Sequence, residues 1–380
     1  MRFERTHNSQ VVPSASTSLQ QGEFPRPYNP DSTAMNPASG LRLKRALVTG
    51  ANGFLGGHLV ESLQGQNVET RAAIRHSAER SHLKSLDAEC VELDWQDESA
   101  LRRAMAGVDV VFHLAAAVAS NSLPALYEAN VGLTDRLARA CAGLENPPVI
   151  IYCSSIAAGG PTRLGELRTE AQIPCPISEY GRSKRGGEIA LARLADRIPA
   201  SIVRPGIVVG PRNHELLPMF KTIALLRAHF VPCFHPPQLS LVYVKDVCEV
   251  LIQAAKRGAR LPAEASSQQI GQGIYYASSW EMPNYGQLGR MIGEALGLGS
   301  PMIVHLTEPQ SWLVGLIGEI AASIQGIAPA VSRDKIREGI ATNWATSPAK
   351  TEQELGVTSS APLAVRLEEA AQWYREAGWL

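Results

Sequence analysis

The apolar positions of this chain follow two rhythms that take turns. Short, nearly continuous apolar runs recur at Ala46–Gly50, Thr70–Arg75, Val91–Leu93, Asp109–Leu114, Pro148–Ser154 and Ala200–Arg204. Between them, Phe54–Gln64, Glu98–Met105, Leu123–Leu144 and Glu179–Asp196 carry apolar residues at helical spacing. Short apolar runs bounded by turn residues read as strands buried on both faces. Strands alternating with helices predict an α/β class with a parallel sheet covered on both sides. After Pro205 the rhythm breaks. Residues 206–240 contain Pro211, Pro218, Pro232, Pro236 and Pro237 and read as an irregular insertion. Residues 241–280 return to strand and helix, and 281–380 read as mostly helical. The expected organisation is a doubly wound core over 45–205 and 241–280, with a smaller, mostly helical cap from 206–240 and 281–380. Residues 1–44 mix Ser, Pro, Asn and Gln and bury too little apolar area to offset their ordering entropy. They read as a disordered tail, and Met35 leaves an internal start open.

Charge and cysteine content narrow the class. Lys plus Arg number 36 and Asp plus Glu number 36, so there is no basic excess to attract nucleic acid or an anionic membrane. The six cysteines form no C-x-x-C pair. That argues against structural zinc or a disulfide framework and fits a reducing cytoplasm. No apolar leader opens the chain. The stretch 312–331 is apolar but broken by Glu319, Ser323, Gln325 and Pro329. It reads as a soluble helix near the substrate pocket rather than a membrane span, with peripheral lipid contact as the second reading.

Thr49-Gly50-Ala51-Asn52-Gly53-Phe54-Leu55-Gly56 places glycines three apart, after a strand and at the head of a helix. That context turns a weak glycine pattern into a dinucleotide-binding turn. Gly50 permits the tight turn, Gly53 the approach of a pyrophosphate, and Gly56 close helix–strand packing. Unpaired N–H groups at the helix start meet the phosphates. The second strand ends Ala73-Ile74-Arg75-His76 without an acid. An acid there would bind a ribose hydroxyl, so Arg75 favours a 2′-phosphate and hence NADP, with NAD as the alternative.

Tyr180 and Lys184 are four residues apart and share one face of a helix. A phenol near pKa 10 is a poor acid–base at neutral pH, and a nearby ammonium is expected to lower it. Ser154 and Ser155 end a strand, where a parallel sheet binds its ligand, and either hydroxyl can hold a substrate oxygen.

Taken together, these residues resemble the extended short-chain dehydrogenase/reductase family over about residues 45–380. The matching segments are T-G-A-N-G-F-L-G (49–56), Asp94, His113-Leu-Ala-Ala116, Asn130, Ser154-Ser155, Tyr180-Gly-Arg-Ser-Lys184 and Arg204-Pro-Gly-Ile-Val-Val-Gly-Pro211. The resemblance implies a Rossmann-type fold. It makes Tyr180 the general acid/base, Lys184 the partner that binds nicotinamide ribose, and Ser155 the residue that orients substrate, with Ser154 as fallback. Cofactor contacts are implied for Gly50, Asn52, Gly53, Phe54, Leu55, Gly56, Arg75, Asp94, Trp95, His113, Leu114, Ala115, Ala116, Asn130, Pro205 and Ile207. It also implies a homodimer through helices 123–144 and 179–196.

Two departures narrow the reaction. Ser155-Ile156-Ala157 stands where dehydratases of the family carry Thr-Asp-Glu, and Ile207 stands where nucleotide-sugar epimerases carry Asn. The remaining branch resembles 3β-hydroxysteroid dehydrogenases and dihydroflavonol reductases. That branch implies ketone–alcohol interconversion on a bulky apolar substrate. The cap insertion agrees, with Leu216, Leu217, Met219, Phe220, Phe230 and Phe234 against only Arg212, Lys221 and Arg227. A nucleotide-sugar epimerase and a non-catalytic NADP sensor are the competing expectations.

Overall fold

The computed structural model describes residues 41–74, 88–264, 269–329 and 331–380. Among these, eleven strands follow in chain order: β1 (Arg45–Thr49), β2 (Glu69–Ile74), β3 (Glu89–Glu92), β4 (Val110–His113), β5 (Val149–Cys153), β6 (Ala200–Pro205), β7 (Ile207–Val209), β8 (Ala228–Val231), β9 (Leu241–Tyr243), β10 (Ile274–Ala277) and β11 (Met302–His305). Seven of them form one sheet in the order β3-β2-β1-β4-β5-β6-β10, every pair parallel. This is the Rossmann-type arrangement that the strand–helix rhythm predicts. The strand order reverses between β1 and β4, where Thr49 lies opposite His113. A crevice opens outside the carboxyl ends at such a reversal.

Strand residues alternate between two cores because their side chains alternate between the two faces of the sheet. Ala46, Val48, Val110 and Phe112 pack with Leu59, Leu63, Val247 and Leu251 on one side. Leu47, Val111 and Ile150 pack with Leu101, Leu137 and Leu191 on the other. A third core lies in the cap, where Phe220, Ile223, Leu288, Ile292, Leu367 and Tyr374 meet.

The structure departs from the sequence reading in several places. Residues 206–240 are not irregular. They hold the helix Leu217–Leu226 and the strand β8, because Pro218 falls in the first helical turn, where its missing N–H costs nothing. Strand β9 pairs with β7 in a separate two-stranded sheet, and β11 pairs with β8, so β10 alone carries the later chain back to the central sheet. The cap is therefore helical with two small parallel sheets. The helix expected over 123–144 contains a π-helical turn at Glu128–Gly132. That turn brings Asn130 inward. The expected tail falls mainly on residues outside the described ones. Leu41 and Lys44 are already tied to the core, through N–H bonds of 2.8 Å to the Lys256 carbonyl and 2.7 Å to Asp109 Oδ2. The cysteines are free thiols.

Candidate active site

The glycine turn joins β1 to the helix Phe54–Gln64. Gly50 adopts φ +71°, and a Cβ there would lie 2.8 Å from the Ala115 nitrogen. A Cβ on Gly56 would lie 2.1 Å from the Gly50 carbonyl oxygen. Gly53 caps the helix without any side-chain hydrogen bond, so the first N–H groups stay free of protein caps. Gly50, Gly53, Phe54, Leu55, Gly56, Leu114 and Ala116 line the cavity that opens here. A cradle that has no room for side chains and ends on uncapped helical N–H groups fits a dinucleotide pyrophosphate. Asn52 and Ala115 belong to the same turn and its β4 neighbour.

His113 and Asn130 are fully buried and support the cavity from behind. His113 Nδ1 lies 2.8 Å from Thr49 Oγ1, and Nε2 lies 3.1 Å from Thr134 Oγ1. Burial, with the Lys184 charge in second place, holds that ring neutral down to about 3. Asn130 exchanges hydrogen bonds of 2.8 Å with both the N–H and the carbonyl of Ala117, and donates to Ser183 Oγ. Both side chains, for which the resemblance implies cofactor contact, lie behind the residues that line the cavity. They brace the β4 loop and the helix Glu179–Ala192. Asp94 is exposed and accepts the Gln96 N–H, while Trp95 sits 5.9 Å from the His113 ring. Arg75 lies outside the described residues.

Cys153, Ser154, Ser155, Tyr180, Lys184, Pro205, Gly206 and Ile207 converge on the same cavity. The two serines separate by partner. Ser154 donates at 2.6 Å to Glu188, which forms a bidentate pair with Arg204 at 2.8 and 2.7 Å, all fully or nearly fully buried. Burial raises the Glu188 pKa, but Arg204 outweighs it and holds the carboxyl at about 2. Ser155 instead caps the short helix Ile156–Gly159 and lies close enough to Tyr180 to influence its titration. Lys184 Nζ donates to the Cys153 carbonyl at 2.7 Å and lies 4.3 Å from the centroid of the Tyr152 ring. Its burial lowers it to about 8.

Tyr180 differs from expectation. Burial first, then the Glu215 and Glu338 carboxylates, push its hydroxyl well above the usual phenol value. Ser155 works in the opposite direction and does not prevail. Lys184 is not among the groups that govern this titration; its ammonium donates to the Cys153 carbonyl. In the protein alone, Tyr180 is a protonated donor.

The C-terminal region supplies residues that the sequence motifs do not flag. The helix Arg333–Gly339 sits over the start of the Tyr180 helix. Asp334 accepts the Glu179 N–H at 2.9 Å and the Tyr180 N–H at 3.2 Å. Ser178, the N-cap of the Tyr180 helix, donates to Glu338. Burial raises Glu338 to about 7. The only sequence signal was generic: Ser332 before Arg333 reads as an N-cap, but nothing pairs it with residue 180.

The cavity has a volume of about 1540 Å³. Leu216, Met219 and Phe230 of the insertion line it, whereas Phe220 is core, packed 5.1 Å from Tyr374. Further apolar wall comes from Leu288, Trp312, Ile336 and Trp344. Arg212 is held away by a bidentate pair with Glu61 at 2.7 and 2.9 Å. Arg333, Lys335 and Arg337 do line the cavity, a basic contribution not expected from the insertion alone. Arg333 and Arg337 are each paired at 2.8 Å, with Glu319 and Asp334.

Fold and site together define a dinucleotide-dependent enzyme built around a Tyr-Lys-Ser constellation. The chain belongs to the NAD dependent epimerase/dehydratase family, whose model matches residues 46–266. It is an NAD(P)-dependent oxidoreductase of the extended short-chain type. Ceramide reductase of Caulobacter vibrioides (strain NA1000 / CB15N) is 28% identical over 337 residues, 88% of this chain and 95% of that protein. The 3beta-hydroxysteroid-dehydrogenase/decarboxylase isoform 1 of Arabidopsis thaliana is 24% identical over 341 residues, 83% of this chain and 76% of that protein. Among solved structures, UDP-glucuronic acid 4-epimerase from Bacillus cereus, in complex with UDP-glucuronic acid and NAD, matches with a TM-score of 0.66 at 18% identity. That match covers 88% of this chain and 99% of the other, and it shares the fold.

Proposed function

We propose that this chain interconverts a ketone and a secondary alcohol on a bulky, largely apolar lipid, of the ceramide or sterol kind, with NADP(H) as its preferred dinucleotide. The observation that carries this reading is the cavity above Tyr180. Its walls are largely apolar; of the four Lys and Arg residues that line it, Lys184 donates to a backbone carbonyl and Arg333 and Arg337 have carboxylate partners, which leaves little beyond Lys335 to clamp a sugar diphosphate. The relatives named for ceramide and hydroxysteroid chemistry support it. The NADP preference rests on the acid-free strand ending at Arg75.

The glycine cradle and the first turn of the helix Phe54–Gln64 would hold the pyrophosphate, with Pro205 and Ile207 beside the nicotinamide. A nicotinamide bound there would supply the hydride for the carbonyl carbon in reduction, or take it from the carbinol carbon in oxidation. Ser155 orients the substrate oxygen. Tyr180, held protonated by its surroundings, gives that oxygen its proton during reduction. Lys184 keeps a positive charge beneath the site and would hold the nicotinamide ribose.

The test is an absorbance assay with NADPH and NADH against long-chain β-keto amides, ketosteroids and flavonoid ketones in detergent, with UDP-sugars alongside. NADPH oxidation by an apolar ketone, reduced ~10²–10⁴-fold in Tyr180→Phe, is the expected result. Epimerised UDP-sugar without net loss of NADPH would overturn the proposal.

A further inference from the structure

The helix Glu308–Gln325 has one face in the catalytic cavity and the other in water. Trp312, Val314, Ala322 and Ser323 line the cavity. On the outer face Leu313, Ile317, Ile320 and Ile324 follow one another at i, i+4, i+7 and i+11, a single stripe. They are 55%, 57%, 52% and 82% exposed. Ile327, 53% exposed, extends the stripe past the helix end. A surface helix normally presents polar residues there, so this one is inverted with respect to water.

Charge is almost absent from this region. Between residues 309 and 332 the only charged residue is Glu319, and its carboxylate is taken by the Arg333 side chain and N–H at 2.8 Å each. Among the described residues no helix is long and apolar enough to cross a membrane. A stripe of exposed apolar side chains, on a helix whose charges are Glu308 and the Arg333-paired Glu319, suits burial at the headgroup–acyl boundary of a bilayer.

The rim of the cavity continues the stripe. Val118, Leu123, Phe230, Val314 and Val331 line the cavity and are 39–54% exposed. Apolar side chains thus continue from the outer face of the helix to the rim of the site, with the Glu319–Arg333 ion pair beside them. A second protein copy seated on the stripe would stand across that rim. A bilayer would place the rim in the phase where an apolar substrate is dissolved.

We infer that the helix Glu308–Gln325 docks this protein on a lipid surface through Leu313, Ile317, Ile320 and Ile324, and that the cavity rim faces the lipid. The occupant is the apolar interior of the leaflet edge, not anionic headgroups, because the stripe offers no cation. Substrate delivery from the lipid rests on the function proposed above; docking itself does not.

The experiment is flotation of the purified full chain with vesicles of phosphatidylcholine alone, at low and high salt. The chain should float with them at both salt levels. The triple variant Ile317→Ser/Ile320→Ser/Ile324→Ser should lose at least ten-fold in the bound fraction, and none of these three residues lines the cavity. Unchanged circular dichroism and melting of the triple variant would show that its fold is intact. Should that variant unfold, Ile324→Asp alone, at the most exposed position, serves instead and should lower the bound fraction several-fold. A chain that stays unbound, or variants that float like the parent, would overturn the inference. So would flotation that needs phosphatidylglycerol and is released by salt. Light scattering that shows a dimer converted to monomer by the same variants, with no flotation, would assign the stripe to a second copy instead. Flotation is read without any substrate, so its outcome is independent of whether apolar ketones are turned over.

Discussion

Asp334 accepts the backbone N–H groups of Glu179 and Tyr180 across 155 and 154 residues of chain. A residue of the cap thereby holds the first turn of the helix that presents the proposed proton donor. An acid at a helix start satisfies orphan N–H groups and meets the positive end of the helix dipole. Asp334→Ala is expected to cost about 1 kcal/mol of stability, the usual worth of a cap. The turnover number should fall ~10-fold, because a small displacement of the reacting group is enough to slow the chemistry. Cofactor affinity should change less than turnover, since Asp334 bonds to Glu179, Tyr180 and Arg337 and not to the glycine turn. Asp334→Asn, which retains one acceptor oxygen, should lie between the two. Denaturant unfolding and steady-state kinetics with a cofactor titration would check each part.

The two adjacent serines should separate cleanly. Ser155→Ala removes the hydroxyl next to Tyr180 and is expected to lower turnover ~10²-fold, the loss typical of one donor at a reacting oxygen. Ser154→Ala leaves Glu188 paired to Arg204 and removes one buried hydrogen bond, so it should cost about 1 kcal/mol of stability and little turnover. Equal kinetic losses from both substitutions would contradict the division of roles.

Glu338 predicts a pH-dependent stability. Its carboxyl is raised by burial, with Asp334 and Glu215 adding to the effect and Ser178 and Lys335 opposing it. A raised carboxyl is penalised only when ionised. The penalty is therefore absent below the unfolded value of 4.5 and complete above about 7. Glu338→Gln, which keeps an acceptor for Ser178, should melt higher than the parent at pH 8 and level with it near pH 4.5. A melting difference independent of pH would contradict this assignment.

Gly56→Ala should abolish dinucleotide binding. The added methyl would meet the Gly50 carbonyl oxygen at 2.1 Å, and neither partner is the end of a flexible side chain. Overpacking of this kind costs ~1–3 kcal/mol, and here it also displaces the turn that would hold the pyrophosphate. Fluorescence titration with NADPH, together with a melting curve, would show both losses.

The amino-acid sequence alone determined the parts of this protein that depend on local pattern. Continuous apolar runs and helical repeats are properties of neighbouring residues, so the sheet, the glycine turn after β1 and the Tyr180–Lys184 helix were legible before any coordinates. Tertiary structure decided what depends on residues far apart in the chain. It assigned Ser154 to the buried Glu188–Arg204 pair and left Ser155 beside Tyr180. It brought Asp334 and Glu338 onto the Tyr180 helix, where no motif placed them. It also reversed the expected titration of Tyr180, because burial and the sum of nearby charges are set by packing. Residues 312–331 read as apolar in the sequence; only packing showed which of their side chains line the cavity and which face water.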